Sequence, residues 1–315
     1  MKNTVFITGG AGYVGTSLIP LLLENNFSVT VYDSLTFNNG NKLLPYISNP
    51  DFKFVKGDIR DIDLIKRYIS QSEIVIHLAA YVGYGICREK GEIESYEVNT
   101  LATKKIVSLL SKEQYLLFGS TGSNYGEVKG ICTEETPLNP LSIYGRTKTE
   151  AEKYVMEREN STAYRFATAF GLSPRLRLDL LVNDLTHKAI SQKYAAIYES
   201  HFLRTFIHVY DMSRSFLFAI QNQKVMKNNI YNVGDDSMNY SKKEVCEIIK
   251  KYVPEVLFHY AEIGEDVDKR NYQVSYKKLS NLGFSTSISL KEGIKELCKA
   301  YSLIHISSNY HNSSF

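Results

Sequence analysis

The sequence predicts a doubly wound α/β fold: a parallel sheet covered by helices on both faces, followed by a smaller lobe. Three observations predict it. In the first half of the 315-residue chain, short β-branched runs alternate with helical segments, the rhythm of βαβ crossovers. Those strands are continuously apolar, as suits a sheet buried on both sides. A glycine-rich turn also separates the first strand from the first helix.

Thr4–Thr8 (TVFIT) is a strand, and Tyr13–Glu24 has the apolar spacing of a helix. Residues 28–32 (SVTVY) read as a second strand and 52–55 as a weaker third. A helix follows over Ile62–Ile69, a strand over 74–78, a long helix over 93–110 and a strand over 115–118. After a Gly/Ser/Pro-rich loop come a helix over 142–157 and a strand over 163–166. Beyond Gly171 the rhythm loosens. Residues 178–190 and 211–221 read as helices among irregular strands, and 241–252 and Leu290–Tyr301 as amphipathic helices. The expected organisation is a sheet domain over 1–170, a lobe over 171–306 packed on it, and a polar tail over 307–315 that frays.

Composition excludes several classes. Lys and Arg total 37 against 34 Asp and Glu, too balanced for a nucleic-acid footprint or a basic membrane surface. The longest apolar stretch, 74–82, already contains His77 and falls short of the roughly 20 residues a bilayer span needs. Val5-Phe6-Ile7 breaks into glycines at once, unlike a signal peptide. Cys87, Cys132, Cys246 and Cys298 are far apart with no CxxC pair, which argues against zinc and against a disulfide framework. A cytoplasmic protein with no metal is expected.

The turn reads Thr8-Gly9-Gly10-Ala11-Gly12-Tyr13-Val14-Gly15. Glycines at 9, 12 and 15 permit a tight turn, close approach to a pyrophosphate and close helix–sheet packing, and the helix N-terminus then faces the phosphates. This is the Rossmann-type arrangement, with Tyr13 and Val14 opening the helix. Asp33 ends the second strand about 20 residues on, where a carboxylate bonds the adenosine ribose hydroxyls and repels a 2′-phosphate. Asp58 and Ile59, in Gly57-Asp58-Ile59-Arg60, end the third strand where an adenine would lie, although an aspartate like Asp58 alone is more often a helix cap. Ala79 and Ala80 are small enough to let a cofactor pass, while His77 reads as a satisfied core histidine. The expected cofactor is NAD.

Tyr144 and Lys148 stand four apart on the helix starting near Ser142, so both project from one face. An ammonium beside a phenol favours phenolate, lowering its pKa from roughly 10. Such a tyrosine takes the proton from a sugar hydroxyl while the carbon gives its hydride to NAD. Tyr125 and Lys129 share the spacing, but Gly126 and Gly130 break any helix there. Thr121 lies just past the strand 115–118, where ligands meet strand ends in this fold. Its hydroxyl is placed to hold a substrate hydroxyl in line with Tyr144.

In this order TGGAGYVG, Asp33, GDIRD, HLAA, the Ser-Thr loop and YGRTK resemble the extended short-chain dehydrogenase/reductase family acting on nucleotide sugars. The similarity covers nearly the whole chain. Residues 205–211 (TFIHVYD) resemble the family's DFIHVDD segment, and 268–272 (DKRNY) its late arginine motif. The resemblance implies that Tyr144, Lys148 and Thr121 are catalytic and that Asn99 lies near the cofactor. It places Asn183, Arg204 and Arg270 on the phosphates of a nucleotide-sugar substrate, and it implies a homodimer formed through the helices 93–110 and 142–157.

Departures from the family narrow the chemistry. Its 4,6-dehydratases carry Asp-Glu directly after the threonine, where this chain has Gly122 and Ser123. Its decarboxylases keep a glutamate, and its fucose-type epimerase–reductases a cysteine, in place of Ser123. What remains is hydride transfer with a single tyrosine, expected at ring C4, by a 4-epimerase or a 4-dehydrogenase of surface-polysaccharide sugar synthesis. Residues 132–138, 171–184 and 263–266 are similar to a subgroup, the bacterial GDP-manno-heptose 4-dehydrogenases. A non-catalytic NAD-sensing regulator on this fold typically lacks the tyrosine or lysine, whereas all three residues are present here.

Overall fold

Seven parallel strands form the central sheet of the computed structural model, which describes residues 2–261, 271–304 and 310–312. The first half runs β1 (Thr4–Thr8), α1 (Tyr13–Glu24), β2 (Ser28–Asp33), β3 (Phe52–Lys56), α2 (Ile62–Ile69), β4 (Ile74–His77), α3 (Tyr84–Tyr96), α4 (Ala102–Leu109), β5 (Tyr115–Thr121), β6 (Glu127–Cys132), α5 (Ile143–Met156) and β7 (Ser161–Phe166). The second half adds β8 (Thr168–Phe170), α6 (Leu181–Ser191), β9 (Tyr194–Tyr198), β10 (Leu203–His208), α7 (Val209–Gln221), α8 (Gln223–Met226) and β11 (Asn229–Val233). It ends with β12 (Asn239–Ser241), α9 (Lys242–Lys250), β13 (Leu257–Ala261), β14 (Asn271–Val274), α10 (Lys277–Ser280) and α11 (Leu290–Tyr301).

The sheet order is β11-β7-β5-β4-β1-β2-β3. Connections leave β1 toward β2 and then cross back to β4, so a crevice opens between the carboxyl ends of β1 and β4. Alternate residues of β1 feed opposite cores. Val5 and Ile7 pack with Leu18, Ile19 and Leu22 of α1 on one face. Phe6 packs with Ile106, Ala151 and Val155 on the other. Double burial explains why the strand reads as unbroken apolar sequence. A third core, including Phe170, Val182, Phe206, Val245 and Ile294, holds the second lobe.

Three expectations change. The chain does not divide cleanly at 170/171, because β11 returns to pair with β7 and α7 packs on α1. All six residues of β7 are buried, so its outer edge needs a partner strand. The long helix expected over 93–110 is present but not regular: a π turn over Glu97–Leu101 interrupts it before α4, and Gly91, at φ +81°, kinks the chain just ahead of it. The tail is also not wholly free: the Leu178 N–H donates to the Tyr310 carbonyl at 2.8 Å, and Asn312 is buried. Among the described residues no helix is long and apolar enough to cross a membrane, and no cluster of metal-ligating side chains occurs.

Candidate active site

The crevice is a cavity of about 610 Å³, walled by the glycine turn, the ends of β2, β4 and β5, one face of α5 and the loop after β8. Gly9 has φ +72°, and a Cβ there would lie 2.6 Å from the Ala79 nitrogen, so the two strand ends approach only without a side chain. Gly12 caps α1 and no side chain accepts from the first-turn N–H groups, which leaves those donors facing the cavity that Gly12, Tyr13 and Val14 line.

Asp33 lines the same cavity. Its carboxylate accepts the Ala11 N–H at 3.0 Å and the Leu35 N–H at 2.8 Å. Burial raises its pKa even though both bonds and Arg175 oppose the shift. Asp58 and Ile59 are also in the wall. The Asp58 carboxylate accepts from Arg60 Nε at 3.0 Å and Nη2 at 2.7 Å, a partner that holds it below the ordinary range. Ala79 and Ala80 border the opening after β4. His77 is buried between Thr8 Oγ1 at 2.6 Å and Thr103 Oγ1 at 2.9 Å, and burial drives its pKa down to about 3.

Tyr144, Lys148 and Thr121 share this cavity. Ser142 caps α5 by accepting the Gly145 N–H at 3.0 Å, which fixes the helix start and so the side on which Tyr144 and Lys148 project. Thr121 Oγ1 accepts the Ser123 N–H at 3.1 Å, setting the turn after β5. Lys148 is 2% exposed, with Nζ 3.9 Å from the Phe118 ring centroid. Burial lowers its pKa to about 7, with Glu152 pulling the other way. Tyr125 and Lys129 do not share a face: Tyr125 is fully buried at the end of a 3₁₀ turn, and Lys129 is on β6.

The Lys148 shift has a sign that stability reports. With the native pKa near 7 and the unfolded value near 10.5, the unfolded chain binds more protons between those limits, so stability rises with pH across them. In the nucleotide-free chain, Lys148→Met is therefore expected to be more stable than the parent below pH 7, and the advantage to shrink towards pH 10.5. Urea midpoints of both proteins at about pH 6, 8 and 10 measure this. A pH-independent difference would sink the assignment of the shift to charge burial.

Behind these residues runs a buried polar network. Glu152, one helical turn past Lys148, forms an ion pair with Arg165 at 2.6 Å. Ser120 Oγ donates to the same carboxylate at 2.5 Å and Asn124 Nδ2 at 3.1 Å. Arg165 also donates to Tyr125 Oη at 3.2 Å, and that hydroxyl donates to Asn232 Oδ1 at 2.6 Å. The network ties β5, α5, β7 and β11 together through Ser120, the residue before Thr121.

Not every residue singled out in the sequence lies in the cavity. Asn99 is fully buried: its Oδ1 accepts the Tyr81 N–H at 2.7 Å and its Nδ2 donates to Thr147 Oγ1 at 3.1 Å, so it ties the loop after β4 to α5. Asn183 is also fully buried, donating to the Arg177 carbonyl at 2.8 Å and accepting the Gly171 N–H at 2.9 Å. Arg204, on β10, is buried against the Leu203 carbonyl and the Phe202 ring, outside the cavity wall. Arg270 lies outside the described residues. In their place the structure brings Arg175, Arg177, Asn39 and Asn312 to the wall. The signal was present as two arginines in Ser173-Pro174-Arg175-Leu176-Arg177, but a loop carries no periodicity to say which way they face.

These residues fit a dinucleotide. Uncapped helix N–H donors, a carboxylate at the end of β2 and small residues after β4 match the phosphate, ribose and passage that such a molecule needs. Asn39 Oδ1, buried in the same wall, has no hydrogen-bond partner among the described residues. Residues 5–234 match the NAD dependent epimerase/dehydratase family. A putative UDP-glucose 4-epimerase of Methanocaldococcus jannaschii is 30% identical over 310 residues, covering 93% of this chain and 96% of the relative. The low-salt glycan biosynthesis protein Agl12 of Haloferax volcanii is 27% identical over 95% of this chain and 98% of its own. A crystal structure of UDP-glucuronic acid 4-epimerase from Bacillus cereus, in complex with UDP-glucuronic acid and NAD, superimposes with a TM-score of 0.83 at 23% identity, covering 95% of this chain and 99% of that one.

Proposed function

This chain belongs to the NAD-dependent epimerase/dehydratase family of nucleotide-sugar enzymes, and from that premise we propose that it is a 4-epimerase that inverts a sugar ring hydroxyl at C4. The observation that carries the reading is the meeting of Tyr144, Lys148 and Thr121 with the glycine turn and Asp33 in one cavity, with Gly122 and Ser123 following the threonine. Elimination of water would need an acid and a base there, and neither side chain supplies one. The 4-epimerase names among the relatives point the same way.

NAD, the cofactor of the family, accepts a hydride from the sugar carbon when bound and can return it. The chain's own residues do the rest. Tyr144 removes the proton from the C4 hydroxyl and gives it back to the opposite epimer. Lys148 lowers the cost of the phenolate, and a negative charge arriving beside it raises its own proton affinity in turn. Thr121 orients the hydroxyl between them. Asp33 holds the adenosine ribose, and the α1 N-terminus the pyrophosphate.

The test is stoichiometric. Purified protein with excess NAD is presented with GDP-, UDP-, dTDP- and CDP-sugars, following NADH absorbance and sugar NMR together. The similarity of residues 171–184 to heptose 4-dehydrogenases puts GDP-heptose on the panel. A new stereoisomer without net NADH is the expected result. NADH accumulating with a keto sugar would overturn the epimerase and make the chain a 4-dehydrogenase. Turnover of no sugar by protein that binds NAD would sink both in favour of an NAD-sensing protein.

A further inference from the structure

Two of the buried arginines near the cavity have carboxylate partners, and a third has none among the described residues. Arg165 is paired with Glu152 at 2.6 Å and Arg177 with Asp179 at 2.5 Å. Arg175 is 2% exposed, yet among the described residues it forms no ion pair. Its guanidinium donates only to neutral acceptors: the Leu176 carbonyl, the His311 carbonyl at 3.4 Å and Asn312 Oδ1 at 2.8 Å. A buried cation held by neutral groups is expensive. One that faces a cavity has an obvious means of relief, which is an anion bound there.

Its surroundings say which anion. The Arg175 guanidinium sits 5.2 Å from the Phe37 ring centroid, and its backbone N–H donates to Thr16 Oγ1 in the first turns of α1 at 3.3 Å. Asp33 is near enough to act on its charge. It therefore stands beside the start of α1, on the side of the cavity that Asp33 and Phe37 line. Asn39, with its orphaned Oδ1, lines the same region.

We propose that Arg175, positioned by Asn312 from the C-terminal tail, clamps the adenosine diphosphate half of NAD from the second lobe. The glycine turn and Asp33 grip this half from the sheet domain, so the clamp closes the cofactor between the two lobes. Burial and the neighbouring Arg177 pull the Arg175 pKa down to about 10, which leaves it charged at neutral pH. The inference rests on NAD as the cofactor, and it supplies a reason for the cofactor to stay bound through a cycle that ends with no net NADH.

Calorimetric titration of the full chain, stripped of nucleotide, with NAD, ADP-ribose and UDP separates the possibilities. Arg175→Met is expected to weaken NAD and ADP-ribose by about 10–100-fold in equal proportion, the range for a lost charge-assisted bond, and to leave UDP unchanged. Arg175→Lys should recover part of the loss, and Asn312→Ala should weaken both adenosine ligands by a smaller factor. Melting without nucleotide checks the fold: Arg175→Met should melt at or above the parent, because an unpaired charge has been removed. A melt well below the parent, an unchanged NAD affinity, or a loss confined to UDP would each overturn the clamp. Failure of the parent itself to bind NAD and ADP-ribose would overturn the cofactor reading as well.

Discussion

Tyr144→Phe is expected to lower kcat by about 10²–10⁴-fold, the contribution of a positioned general base, with little change in NAD affinity. The substitution removes one oxygen and leaves the ring, which packs at the edge of the core beneath α5. Lys148 stays where it is, so the charge that favours phenolate is kept without the phenol. Single-turnover NADH formation with a saturating sugar reads the proton-transfer step apart from binding. Calorimetry with NAD alone reads the cavity. If turnover survives, the proton leaves by another route and the role given to Tyr144 is wrong. Tyr125→Phe is the matched control, since its hydroxyl bonds Asn232 and Arg165 in the buried network and not the cavity.

The second large effect is on stability. Arg165→Met leaves Glu152 buried among Ser120 and Asn124 without its ion-pair partner, and with only the charge of Lys148 still acting on it. Breaking a buried pair from one side costs about 3–5 kcal/mol, and on the order of 10 °C in melting temperature. Replacing both partners by apolar residues of similar volume is expected to recover most of that loss, because the stranded charge is gone. A double-mutant cycle on Arg165→Met and Glu152→Leu measures the coupling. A single-variant loss below about 1 kcal/mol would mean that water or a neighbour already neutralises Glu152. The cycle also bears on the active site: Glu152 raises the proton affinity of Lys148, so the variants lacking it should hold Lys148 less protonated.

What could be read in the sequence was whatever follows from local spacing. The β-branched runs, the turn around Gly9 and the four-residue step from Tyr144 to Lys148 are short-range patterns, and the structure puts these three features together at one crevice. Thr121 was legible because it follows a strand whose end is fixed by sheet topology. The losses come where tertiary contact decides. Nothing between 93 and 110 announces the π turn that interrupts the helix, or that Asn99 within it would face Tyr81. Asn183 looks like any polar residue near a helix start until Gly171 and Arg177 use up its amide. Arg175 and Arg177 lie two apart in one loop, and only the fold gives a carboxylate to the second and, among the described residues, none to the first.

The last strand of the central sheet, β11, comes from residues 229–233, more than sixty positions after the strand it pairs with. During synthesis on a ribosome, the residues of the cavity up to Lys148 emerge long before the sheet can close. Until β11 arrives, β7 presents an apolar edge with unsatisfied backbone groups, the kind of surface that recruits other chains. The second lobe is thus a loop in the folding order, spooled out and finished only as the first is sealed. Severing the chain after residue 170 would yield an adhesive remnant and not a free-standing dinucleotide domain. The return strand makes the two halves of this protein a single heritable unit, which evolution can vary in its loops but cannot easily shuffle.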